Sequence, residues 1–185
     1  LCLLLSAGTW TARAQDPVDT TQTWTATGTA GWIKGTSKTV LSNPGGYLRL
    51  QFKSQYTPYF EADTLRATLA GGLLITNISF RFQAPGVVPS TIRLCFHSGR
   101  SGNLWYVSLS APDTQDWTTY NLPVNFDTTR WIQGPRGSRK IFLQDIQSVN
   151  WVGIHIRRHG SVEVQNYNLD DFRIQGITIP AGVSL

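Results

Sequence analysis

The sequence predicts an all-β fold, an antiparallel two-sheet β-sandwich of the jelly-roll kind. Three observations carry that prediction. Apolar and polar residues alternate with period two along most of the chain, Gly, Pro, Asn and Asp punctuate the alternating runs, and β-branched residues and aromatics are abundant. No helical pattern exceeds two turns and no heptad recurs, which argues against a bundle. With 7 Trp, 6 Tyr and 8 Phe the chain is not disordered. Its 185 residues show no repeat and no composition break, so they fit one domain with a core of its own.

The chain opens on LCLLLSAGTWTARAQ. Leu1 to Leu5 form an apolar run, and Ala12-Arg13-Ala14 supplies the small residues of a signal-peptidase site. This reads as a signal peptide over 1–14, truncated at its start, and predicts a secreted or cell-surface protein. The apolar run is too short for the ~20 residues that span a bilayer. A sandwich over 15–178 and a tail over 179–185 follow. Cleavage removes Cys2, so Cys95 stands alone as an inert packed thiol and no intrachain disulfide forms. It also leaves 15 basic residues against 11 acidic ones without a Lys/Arg run, which argues against nucleic acid as a partner.

Tyr47 to Phe52 alternates after the turn Asn43-Pro44-Gly45-Gly46. Leu74 to Gln83 follows, with Leu74, Ile78, Phe80 and Phe82 on one face and Thr76 interrupting it. Beyond the loop APGVVPS, Ile92, Leu94 and Phe96 continue the pattern, and Trp105, Val107 and Leu109 line a third strand after the turn at 98–103. WTTYNLPV from Trp117 begins another strand, and IFLQDIQSV reads as a short helical turn. Val152, Ile154 and Ile156 alternate before the turn at 158–161. Val162 and Val164 follow, and Asp170 to Ile174 closes the domain. Phe80, Phe82, Leu94, Phe96, Val107, Ile154 and Ile156 are the predicted core.

Catalytic patterns are lacking: there is no nucleophile elbow, no zinc-type His pair and no phosphate loop. His97, His155 and His159 have no neighbouring ligands at zinc spacing. A sandwich glycosidase needs two carboxyls facing one cleft, and only Glu61 and Asp63, in what reads as a loop, share a strand-like spacing.

Parity also assigns an outward set: Arg81 and Gln83, Arg93 and His97, Tyr106 and Ser108, Trp151, His155 and Arg157, and Gln165. Cys95 shares that parity. Planar donors and acceptors beside aromatic rings suit sugars, whose C–H faces pack on rings while their hydroxyls need hydrogen-bond partners. The same mixture also suits a plain solvated face. Loop aromatics Trp32, Tyr56, Tyr59 and Trp131 are rival sites, whereas Trp24 and Trp117 are assigned to the core. The candidate ligand-binding residues are therefore Arg81, Arg93, His97, Tyr106, Trp131, His155 and Arg157.

Four segments together, NPGGYLRLQF at 43–52, SFRFQ at 79–83, DIQSVNWVGIHIRRHG at 145–160 and YNLDDFRIQG at 167–176, resemble the galactose-binding-like jelly-roll class. They are especially similar to laminin-B-like domains of bacterial exported, PEP-CTERM-type proteins, over about residues 24–176. The resemblance implies a noncatalytic module that binds a glycan or cell-surface polysaccharide; the alternative is a structural or adhesive surface domain with a protein partner. It also implies a structural Ca²⁺ held by an Asp of the closing strand near the N-terminal strand. Asp16, Asp19, Asp170 and Asp171 are the candidate ligands; the competing reading pairs the Asp170-Asp171 turn with Arg173.

Overall fold

The computed structural model describes residues 16–54, 61–124, 130–133 and 139–179. Residues 1–15 and 180–185, hence the signal-peptide reading and most of the tail, lie outside that set. Two antiparallel sheets face each other across one core, as predicted. The six-stranded sheet contains β1 (Pro17–Gln22), β2 (Thr39–Ser42), β3 (Leu48–Phe52), β5 (Leu73–Gln83), β8 (Thr118–Pro123) and β11 (Gln165–Thr178). Its order is β2-β3-β11-β5-β8, with β1 laid on β11 in the register Pro17↔Ile177 to Gln22↔Phe172. The five-stranded sheet has the order β4-β10-β6-β7-β9 and comprises β4 (Ala62–Thr68), β6 (Thr91–Ser98), β7 (Leu104–Ser108), β9 (Ile132–Gln133) and β10 (Val149–Arg157). One short helix, α1 (Arg139–Asp145), and a 3-10 turn at Ile146–Ser148 stand where the helical turn was predicted.

All seven predicted core residues are buried. The inward faces interdigitate through rings: Phe80 stacks on Phe172, Phe82 on Tyr167, and Phe142 of α1 meets Phe96, Trp105 and Trp131. Such pairs add about 0.5–1.5 kcal/mol each beyond area burial. Trp24 joins this core as predicted, but so does Trp32, which the sequence placed among exposed loop aromatics. Trp32 packs edge-on against both Trp24 and Phe172.

Two irregularities explain where the simple alternation breaks. In β5 the pairing with β11 shifts between Asn77↔Gln175 and Ile75↔Gly176, skipping Thr76. Leu74 and Ile75 are both buried as a result, and Thr76 is exposed with its carbonyl accepting from Val124 N–H. In β11 the register moves from Asp170↔Arg81 to Arg173↔Ser79, an extra residue on one strand. Asp171 there has φ of 48°, a left-handed conformation that Asp tolerates better than most residues. Inward parity therefore passes from Tyr167 and Leu169 to Phe172 and Ile174.

The turn after β10 differs from its predicted form. Val162 and Val164 are exposed and lie in no strand, while Gln165 is buried and bonds back to His159 and Ser161. Arg158 is buried beside it, its guanidinium donating to the carbonyls of Lys53, His159, Ser161 and Glu163. Asp63 lies on β4 rather than in a loop. It accepts from the amides of Gly35, Thr36 and Thr64 and the hydroxyls of Thr36 and Thr39. Donors saturate that carboxylate, which fixes the 33–39 segment instead of facing a cleft.

Candidate functional site

Register places five of the seven predicted ligand-binding residues on one surface, the outward face of the five-stranded sheet. Cross-strand partners form rungs there: Leu104, His97, Trp151 and Thr68; then Tyr106, Cys95, Gly153 and Arg66; then Ser108, Arg93, His155 and Thr64; and last Thr91, Arg157 and Ala62. From Trp151 to Arg157 the face runs roughly 20 Å at about 3.4 Å per residue.

The upper rung is a preassembled stack. The His97 and Trp151 rings lie 5.4 Å apart with planes 7° from parallel. Arg66, from the strand on the other side of β10, has its guanidinium carbon 5.4 Å from the Trp151 ring centre. His97 Nδ1 is 2.8 Å from Asn150 Oδ1, which orients the imidazole. Lower down, the Arg93 guanidinium covers the Tyr106 ring at 4.4 Å. Rings and cations are each held by a neighbour, so little side-chain freedom is left to lose on binding.

Between these groups the floor drops. A Cβ on Gly153 would come within 2.2 Å of the Leu65 carbonyl oxygen, so only glycine allows β4 and β10 this approach. Cys95, its partner on β6, is buried despite outward parity, and burial pushes its thiol up to about 12. It stays protonated and unreactive. At the far end Arg93, His155, Arg157, Thr91 and Ala62 line a cavity of about 210 Å³. His155 Nδ1 is 3.0 Å from the Thr64 hydroxyl. Its pKa lies below the usual histidine value because of burial first, then the Arg93 and Arg157 charges, with Asp63 opposing.

The remaining two predicted residues go elsewhere. Trp131 is 5% exposed, packed on Phe96 and Phe142, and offers no ring to a ligand. Arg81 belongs to β5 and so to the outward face of the other sheet. Tyr56 and Tyr59 lie outside the described residues. Trp117, assigned to the core from sequence, is half-buried on that second face beside Tyr47 and Arg81. Arg66 was missed because β4 read as a loop.

The second face is differently charged. A groove of about 610 Å³ there is lined by Asp19, Thr21, Ser79, Arg81, Thr119, Asp171 and Arg173. Arg81 pairs with Asp170 at 2.5 Å and Asp171 at 2.7 Å, and Arg173 pairs with Asp19. The compensation expected for the Asp170-Asp171 pair thus comes from Arg81 and not from Arg173. Among the described residues no three potential metal ligands gather, and Asp16 is exposed on the approach to β1. A Ca²⁺ at Asp170 and Asp171 would share its carboxylates with a guanidinium already in contact, so this set fits the ion poorly.

No family model matches the chain, and no curated protein matches it either. Solved structures with a similar fold include a family 11 carbohydrate-binding module from Clostridium thermocellum in complex with a β-1,3-1,4-mixed-linked tetrasaccharide. At 15% identity its TM-score is 0.54, covering 88% of this chain and 98% of that one. A family 29 module variant complexed with mannohexaose gives 0.54 at 14% identity, covering 86% of this chain and 92% of that one. Another, complexed with cellulohexaose, gives 0.53 at 14% identity, with coverage of 86% and 91%. The likeness establishes a shared sandwich architecture.

Proposed function

We propose that this chain is a noncatalytic carbohydrate-binding module of an exported or surface protein, with its ligand lying along the outward face of the five-stranded sheet. The observation that carries this reading is the Arg66–Trp151–His97 stack continuing into Arg93 over Tyr106. Rings and planar donors in one held array match the amphipathic surface of a pyranose chain. Oligosaccharide complexes of similarly folded modules support it. The outward positions of this sheet carry no Asp or Glu among the described residues, so the paired carboxyls of a glycosidase do not face the trough.

The laminin-B-like resemblance supports the exported context, and among the described residues no helix is long and apolar enough to cross a membrane. A structural or adhesive role with a protein partner is the second reading. Leu104 and Ile132, 43% and 49% exposed on the same face, favour it. A glycan array probed with the protein and its Trp151→Ala variant separates the two. Hits lost in the variant support the glycan reading, and an empty array with the folded protein overturns it.

A further inference from the structure

We infer that the outward face of the six-stranded sheet holds a second carbohydrate site, a groove that receives a neutral glycan against the paired rings of Tyr47 and Trp117. This goes beyond the reading above, because the groove lies on the other sheet and uses none of the residues of the first face.

The two rings reach toward each other across the middle of the sheet. Tyr47 directly precedes β3 and Trp117 directly precedes β8, and β11 and β5 lie between those strands. Three steps of about 4.8 Å put β3 and β8 roughly 14 Å apart, yet the ring centres are 5.8 Å apart, edge to face. Both side chains therefore extend over β11 and β5. Each is fixed by an arginine. Arg49 donates to the Tyr47 hydroxyl at 2.7 Å with its guanidinium carbon 5.3 Å from the ring centre, and that of Arg81 lies 5.2 Å from the Trp117 ring centre. The half-buried pair forms a held aromatic wall, the kind of surface on which sugar C–H faces pack.

The groove begins beside this wall, at Arg81. It opens where β11 changes neighbours: β3 pairs with β11 up to Leu169 and β1 from Phe172 onward. Among the described residues neither strand pairs with Asp170 or Asp171, and the left-handed Asp171 lines the groove. The volume of about 610 Å³ is that of a small-ligand site, which spans about 300–1,000 Å³.

The lining suits an uncharged ligand rich in hydroxyls. Thr21 and Thr119 are exposed and Ser79 is half-buried, and each hydroxyl both donates and accepts. Arg81 with Asp170 and Asp171, and Arg173 with Asp19, add planar donors and acceptors already locked together. Among the described residues the strands of this sheet carry three arginines, Arg49, Arg81 and Arg173, and three carboxylates, Asp19, Asp170 and Asp171. The face therefore has no excess charge to draw an ion, whereas a sugar hydroxyl finds both the donor and the acceptor it needs.

Substitution separates the two faces. Galactomannan, xyloglucan and glucomannan serve as neutral probes and polygalacturonate as the acidic one, with binding read by affinity electrophoresis. The Trp151→Ala protein, which lacks the stack of the first face, is expected to keep binding at least one neutral polymer. Adding Trp117→Ala should weaken that binding about tenfold or more. Adding Thr119→Lys instead, at an exposed position on the groove, should weaken it too with both rings in place, and thermal melts confirm that each variant folds. Complete loss of binding in Trp151→Ala alone would overturn the second site and leave the first standing. Binding by Trp151→Ala that neither added substitution weakens would also overturn it. Polygalacturonate bound by the Trp151→Ala protein more tightly than every neutral polymer would overturn the choice of a neutral ligand. No binding of the parent to any polymer would remove both sites.

Discussion

His97 and Trp151 meet face to face across β6 and β10, their planes 7° apart, while Arg66 covers Trp151 from the β4 side. The indole is therefore the shared member of two contacts. Each contact of this kind is worth about 0.5–1.5 kcal/mol. Trp151→Ala should cost about 1–2 kcal/mol in a denaturant melt and release both His97 and Arg66. Glycan affinity should fall by more than the stability change suggests, because the ring itself is lost and two further groups lose their positions. A variant that binds like the parent would remove this stack from the site.

Tyr106 and Trp131 separate surface from core. Tyr106→Ala loses the Arg93 contact and should cost about 1 kcal/mol or less in stability while weakening binding. Trp131→Ala opens a cavity against Phe96 and Phe142 and should cost about 3–5 kcal/mol. Equilibrium unfolding of both variants checks the order, and the reverse order would contradict the burial described.

His155 gives a signed pH dependence. Its folded pKa is depressed, by burial and by Arg93 and Arg157, against Asp63 of β4; Thr64 beside it is neutral. The unfolded chain then takes up the proton first, so stability is lost as pH falls through the unfolded value near 6.5 and stops falling below the folded value. His155→Gln should flatten that part of the curve. A stability–pH curve unchanged by that substitution would show that His155 does not carry this dependence.

Arg81 bridges two carboxylates, one of them on the buried Asp170. Arg81→Ala should cost about 1–3 kcal/mol, the low end following from the 40% exposure of the arginine side chain. With Arg81 present, melts in Ca²⁺ and in chelator should coincide. A rise of several degrees in Ca²⁺ would show the ion displacing the guanidinium.

The sandwich was legible because burial on one sheet face writes itself as period two, and Ile92, Leu94, Phe96, Val152, Ile154 and Ile156 keep that period without interruption. The same parity put Arg93, His97, Tyr106, His155 and Arg157 outward. Which sheet each strand joins is set by long-range pairing that alternation does not encode, and this is why Arg81 was grouped with residues on the opposite side. Arg66 was legible in principle: Leu65, Ala67 and Leu69 alternate with Thr64, Arg66 and Thr68. The acidic start of that segment hid it, because most of the donors that let Asp63 be buried lie 24 to 28 residues away. The β11 bulge also left a trace, in the parity change between Leu169 and Phe172. Trp131 was misread because its cover comes from two separate elements, Phe96 of β6 and Phe142 of α1, which only the fold brings together around it.

The pairing of Pro17 with Ile177 has a mechanical meaning. Chain leading into β1 and chain leading out of β11 depart side by side, roughly 5 Å apart as in any antiparallel pair. Tension applied through those two points does not shear a whole ladder at once. It loads the β1–β11 bonds one after another from that end, the geometry of a zipper, and among the described residues β1 pairs with β11 alone. The first element to yield under pull is therefore the N-terminal strand, while the five-stranded sheet on the other side of the core keeps its strands and its rungs.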